Sequence, residues 1–168
     1  MKVRYAKFED MKAISEIATD SMKITYKGIL SDEYLNSLSY EEAHQKYESR
    51  FDKGFWCVCE NEGEILGYSW FDTKQEEEGY PEYDCELIAI YIKPELKGKG
   101  IGKEIFNFVT NELKNKGKRK MILWVLENNL PSIGFYKKIG GKLLGKKEKE
   151  RAGEIHTEIS FGYDLLVK

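Results

Sequence analysis

Cysteine, proline and histidine are scarce in this chain. Among 168 residues, three are cysteine, three proline and two histidine. Cys57, Cys59 and Cys85 are odd in number and lack C-x-x-C spacing, so neither a disulfide framework nor a zinc site is indicated. With His44 and His156 the only histidines, no metal and no metal chemistry are expected. An excess of one charge is also missing. The formal net charge is −2, and glutamates interleave with the many lysines, so no nucleic-acid partner is expected. No apolar run approaches the roughly 20 residues that cross a bilayer. The opening MKVRYAKFED has no apolar signal core, and a cytoplasmic protein without a membrane partner is the default expectation.

The length suits one domain, residues 1–168, with a full hydrophobic core. No linker, repeat or low-complexity tract divides it. Val3 to Tyr5 predict a short strand, and Asp10 to Met22 carry Met11, Ile14, Ile17, Ala18 and Met22 at helical spacing. A polar and aromatic connection follows, with a short helix predicted over 32–38. Ser39 is a good N-cap for a helix to about Phe51, with Glu42 at the capping-box position. Two strands flank an Asn61–Gly63 turn, over 55–60 and 65–71. After a polar loop over 73–83 come a strand at 85–92, a helix to about Asn115, a strand at 120–126 and a helix at 130–139. A strand begins at 142–145, and 158–166 closes the sheet. Trp56 and Trp124 read as core.

The run ELIAIYIKPELKGKGIGK, Glu86 to Lys103, carries the chemistry. Leu87 to Ile92 read as a buried strand, which Pro94 stops. Gly98, Gly100 and Gly102 alternate with Lys97, Lys99, Ile101 and Lys103, and a helix begins with Ile101, Ile105, Val109 and Leu113 on one face. A strand, a glycine turn and a helix N-terminus together hold phosphate. Glycines let amides crowd inward, and first-turn N–H groups have no partner of their own. Spacing decides which phosphate. A Walker loop needs a longer gap than Gly98 to Gly102, and Glu104 stands where Ser or Thr should bind magnesium. A dinucleotide fingerprint fails from Gly98 and from Gly100, because Lys103 and Ile105 fall at its third glycine. What fits is [QR]-x-x-G-x-[GA] on Lys97, Gly100 and Gly102, with lysine in place of the planar guanidinium or the amide. Downstream, LENNLPSIGFYKKIG places Asn129, Ser132, Tyr136 and Gly140 in a second ordered pattern.

On these two motifs the chain resembles the GCN5-related N-acetyltransferases. The resemblance implies an α/β (α+β) acyl-CoA N-acyltransferase fold: a mixed, mostly antiparallel sheet of about six to seven strands with helices on both faces. It also implies that the strands ending near Ile92 and Leu126 splay apart to admit a pantetheine arm. Acetyl-CoA is the expected co-substrate and a primary amine the acceptor. In the cofactor-binding role, Lys97 to Lys103 grip the diphosphate, with charge-assisted contacts from Lys99 and Lys103. Main-chain groups of Ile90, Tyr91 and Ile92 pair with the pantetheine like an added strand. Asn129 contacts the pantetheine or caps its helix, and Ser132 and Tyr136 complete the motif.

Two catalytic roles follow from the same resemblance. Tyr136 is the general acid for the leaving thiolate, its ordinary pKa of about 10 lying near that of a thiol. Phe135, beside it, reads as the core member of the pair. Glu86, eleven residues before Lys97, occupies the place of the catalytic glutamate of histone-type relatives. It or a water accepts the amine proton, with Asp84 as the fallback. The acceptor is expected to meet Tyr26, Trp70, Tyr83 and Asp84, with Tyr34, Tyr80 and the acidic 76–78 run nearby. A polyamine, an amino-sugar antibiotic or an amino acid derivative suits such a site. A protein or peptide amine is the alternative, and a non-catalytic CoA sensor of the same fold is another. His156 is placed on the penultimate strand, within reach of the acceptor. A homodimer is common among such proteins, although no interface is legible here.

Overall fold

The computed structural model describes residues 1–167. Seven strands form one sheet: β1 (Lys2–Tyr5), β2 (Phe55–Asn61), β3 (Glu64–Asp72), β4 (Cys85–Ile92), β5 (Lys120–Leu126), β6 (Lys142–Arg151) and β7 (Glu154–Asp164). Their order is β1-β2-β3-β4-β5-β7-β6, and every pairing is antiparallel except β4 with β5. The parallel pair needs a crossover, which α4 (Ile101–Asn115) supplies. The other helices are α1 (Met11–Thr25), α2 (Asp32–Ser37), α3 (Tyr40–Glu48) and α5 (Leu130–Lys138).

Side-chain alternation divides the core between the two faces. On one face Cys85, Leu87, Met121, Leu123 and Phe161 pack beneath Ile105, Val109 and Leu113 of α4 and Ile133 of α5. On the other, Trp56, Val58 and Tyr68 meet Met11, Ile14, Ile17 and Ala18 of α1. A smaller cluster of Tyr26, Leu30, Leu35 and Leu126 fastens the α1–α2 connection to the end of β5. The stripe on α4 is buried as its spacing predicts, each aliphatic side chain contributing about 1.5–3 kcal/mol before ordering entropy.

Several boundaries move. A short 3-10 turn at Phe8–Asp10 precedes α1, which runs one turn further than predicted. Ser39 does cap α3, accepting from the Glu42 N–H at 3.2 Å, but α3 stops at Glu48. The largest difference is at the end of the chain. Residues 146–157, whose charged pattern resembles solvated loop, extend both strands into a long β6–β7 hairpin turned at Ala152 and Gly153. His156 therefore lies on the last strand rather than the penultimate one.

Candidate active site

The glycine loop has the geometry of an anion cradle. Gly98 and Gly100 adopt φ of +80° and +84°, in the left-handed region, and a Cβ at either would meet nothing within 4 Å. Their glycine requirement is therefore conformational, and the space inside the turn is open. The first turn of α4 closes with Glu104 N–H donating to Gly100 O at 3.2 Å, which leaves the amides of Ile101, Gly102 and Lys103 without intrahelical partners. Gly102 does something different from the expected close approach to phosphate. A Cβ there would sit 3.3 Å from Cζ of Phe135, so this glycine lets α4 and α5 pack together. Lys97 turns back toward α1, its Nζ donating to Thr25 Oγ1 at 3.1 Å, while Lys99 and Lys103 are exposed.

Strands β4 and β5 pair only through Cys85–Met121, Glu86–Ile122 and Leu87–Leu123. Beyond Leu87 they part, while β4 remains paired to β3 as far as Ile92. Lys93 N–H donates to Leu66 O at 2.9 Å, and the Tyr91 carbonyl lies against Gly67. Both therefore face β3. By alternation, the main-chain groups of Ile90 and Ile92 face the gap, and those of Tyr91 do not. This corrects the expectation that Tyr91 contributes its backbone. The Ile92 carbonyl is already occupied, accepting from Ser21 Oγ at 2.9 Å.

Tyr136 reaches the gap from α5. It is buried and belongs to the core cluster, whereas Phe135 is only half-buried, the reverse of the expected division. The Tyr163 hydroxyl donates to the Tyr136 carbonyl at 2.8 Å and fixes the backbone there. Burial, and next the nearby Tyr26, push the Tyr136 phenol well up. Across the gap the Tyr26 and Tyr91 hydroxyls lie 2.9 Å apart, and those of Tyr47 and Tyr68 3.3 Å apart. Five tyrosines thus gather around the divergence of β4 and β5. Of these, Tyr26 and Tyr136 were singled out in the sequence for side-chain roles and Tyr91 only for its backbone, while Tyr47 and Tyr68 were missed.

Glu86 is no solvated strand end. Burial, and next the adjacent Glu77, push its carboxyl up to about 7 against the pull of Lys147 and Lys149. Such a group changes charge near neutrality, as a general base must. Lys147 pairs with Glu77 and stands 4.0 Å above the Trp124 ring. Trp124 is accordingly not core: it lies on the same sheet face as Glu86, edge-on to Tyr80, and its buried indole N–H has no partner among the described residues.

The remaining expected residues scatter. Trp70 stacks on Trp56 at 4.7 Å, beneath the Arg50 guanidinium, and its Nε1 donates to Lys53 O at 2.6 Å. Tyr83 is buried with its hydroxyl against Gly162. Asp84 is occupied as a brace, accepting from the Arg119 and Lys120 amides at 3.1 Å, and is removed from the acceptor side and from the base role. Asn129 caps α5, its Oδ1 accepting from Ser132 N–H at 3.3 Å, which makes Ser132 part of the cap. Sequence reasoning missed Arg151 and Glu158. Arg151 Nε and Nη2 both donate to Glu158 Oε1, at 2.9 and 2.7 Å, and Glu158 is 1% exposed. The signal was the period-two spacing of Lys147, Lys149 and Arg151, which places all three on one sheet face.

Comparison with known proteins agrees with this geometry. The sequence model of the Acetyltransferase (GNAT) family matches residues 13–141. The chain is 36% identical over 165 residues to the uncharacterized N-acetyltransferase YuaI of Bacillus subtilis (strain 168), covering 98% of this chain and 93% of that one. It is 30% identical to spermidine N(1)-acetyltransferase of Thermoplasma acidophilum, covering 85% and 89%. The solved PaiA N-acetyltransferase of Thermoplasma acidophilum, in complex with coenzyme A, superposes with a TM-score of 0.68 at 25% identity, covering 96% of this chain and 98% of that one. With the glycine turn, the splayed strands and the sequence match in accord, this chain belongs to the acetyltransferase (GNAT) family of acetyl-CoA-dependent acyltransferases.

Proposed function

We propose that the chain is a single catalytic domain, residues 1–168, that passes the acetyl group of acetyl-CoA to the amine of a small molecule. The observation that carries this is the pairing of an open glycine cradle with a β4–β5 gap into which Ile90 and Ile92 turn their main-chain groups. Acetyl-CoA supplies an activated thioester; every other task falls to the protein. Amides from Gly98 to Lys103 hold the diphosphate, helped by the positive end of the α4 dipole. The Ile90 and Ile92 amides line the arm, and one aimed at the thioester oxygen stabilises developing negative charge, worth about 3 kcal/mol.

Glu86, ionised in about half the molecules near pH 7, accepts the amine proton directly or through water. The Tyr136 hydroxyl donates to sulfur as the carbon–sulfur bond breaks. Its raised pKa makes it a weaker acid than a free tyrosine. A thiolate leaving into the same buried region is destabilised by the same desolvation, which keeps the two matched. The spermidine enzyme of Thermoplasma supports an amine as acceptor.

The test is thiol release from acetyl-CoA across an amine panel, with mass spectrometry of the product. Sustained release with an N-acetylated product is expected. Tight CoA binding with no turnover on any amine would instead make the chain a sensor.

A further inference from the structure

The acceptor side of the sheet carries an unbalanced set of cations. Arg151 projects from β6 onto the face that holds Glu86, Trp124 and Glu158. Lys46, on α3, and Arg50, just past its end, approach from the opposite wall. Arg50 lies 5.6 Å from the centroid of Trp70, and Lys46, four residues earlier, is exposed on the same side of α3. Tyr47, between Lys46 and Arg50 in sequence, meets Tyr68, and Arg151 pairs with Glu158, which lies in register with Leu126, a packing neighbour of Tyr26, so the cations border the tyrosine cluster.

Their carboxylate partners do not match them in number. Glu158 takes Arg151 alone, and Glu48 turns to His44 Nε2 at 3.0 Å rather than to Arg50. Among the described residues neither Lys46 nor Arg50 makes an ion pair within 4.0 Å. Like charges held together beside a buried pair raise one another's energy, and an incoming anion relieves that. The tyrosine hydroxyls and the buried Trp124 N–H, partnerless among the described residues, add neutral donors on the same face.

We propose that the acceptor is an amine that also carries an anionic group, an amino carboxylate rather than a polyamine, with the anion held by Lys46, Arg50 and Arg151 and the nitrogen directed to Glu86. This rests on the acetyltransferase reading and names its substrate class. Guanidinium forks suit the two oxygens of a carboxylate. A polycation such as spermidine would meet three like charges at the same wall.

The test uses the full chain, acetyl-CoA and matched acceptors: the standard amino acids, their carboxamides, and spermidine. Thiol release should favour at least one free amino acid over its carboxamide by tenfold or more in kcat/KM, with spermidine poorer still. The Lys46→Gln/Arg50→Gln double variant, which leaves the Arg151–Glu158 pair intact, should raise KM for that acid until it equals the carboxamide, with kcat held. Equal turnover of acid and carboxamide, or preference for spermidine, overturns the anion site and leaves the acetyltransferase intact. Silence across the panel overturns it too, and titration with acetyl-CoA then tells whether the acetyltransferase reading falls with it.

Discussion

Replacing Glu86 with glutamine gives two readouts that burial predicts together. The carboxyl is pushed up to about 7, from an ordinary value near 4.5. At pH 6 about one molecule in ten has the base ionised, and at pH 8 about nine in ten. In the wild type kcat/KM should therefore climb roughly tenfold per unit below pH 7 and level off above it. Glu86→Gln should remove that limb and lower the rate at pH 8 by about 100-fold, the low end for loss of a general base. The stability effect runs the opposite way. A carboxyl whose folded pKa is raised gives its full stability below about 4.5 and loses it as the pH climbs to about 7. The shift corresponds to about 3 kcal/mol at most, and partial solvent access reduces this to about 1–2 kcal/mol. Glu86→Gln should therefore be more stable than wild type at pH 8 by that amount, and indistinguishable at pH 4. Urea titrations at the two pH values, beside pH–rate profiles, measure both. A variant that keeps the limb near pH 7 and a rate within roughly threefold of wild type would refute Glu86 as the base.

Tyr136→Phe should lower kcat by roughly 10- to 100-fold with little change in the KM for acetyl-CoA; an unchanged kcat removes the phenol from the mechanism. Gly102→Val should push Phe135 and lower the melting temperature, whereas Gly98→Ala, with open space but a left-handed φ, should cost only about 1 kcal/mol. Equal effects would contradict the packing role of Gly102. Glu158→Gln should destabilise by about 1–2 kcal/mol in urea, because Arg151 loses a charged partner but remains in reach of water; a neutral result would mean the pair adds nothing to stability.

The cofactor side was legible in the sequence and the acceptor side was not, for a physical reason. Phosphate is held by main chain, so it demands glycine at fixed spacing, and Gly98 and Gly100 have the conformation that spacing requires. Strand β5 is largely buried and β4 is nowhere fully exposed, so their apolar runs mark their own boundaries at Cys85–Ile92 and Lys120–Leu126. The β6–β7 hairpin has one wet face and charged residues on both, so its period-two pattern is masked by polarity, and Arg151 and Glu158 go unread with it. Trp124 misleads because an indole on a strand resembles core, whereas here Lys147 covers its ring. Tyr136 and Phe135 exchange burial because Tyr136 falls three residues after Ile133, on the one buried face of α5, while Phe135 lies against Gly102 of α4.

The central claim is that main-chain amides from Gly98 to Lys103 enclose the diphosphate of a CoA thioester, and isothermal titration of the full chain with acetyl-CoA tests it most directly. The account predicts saturable one-to-one heat that Gly100→Val abolishes while the fold persists by circular dichroism. No heat with the wild type, or the same affinity in the folded variant, would contradict it.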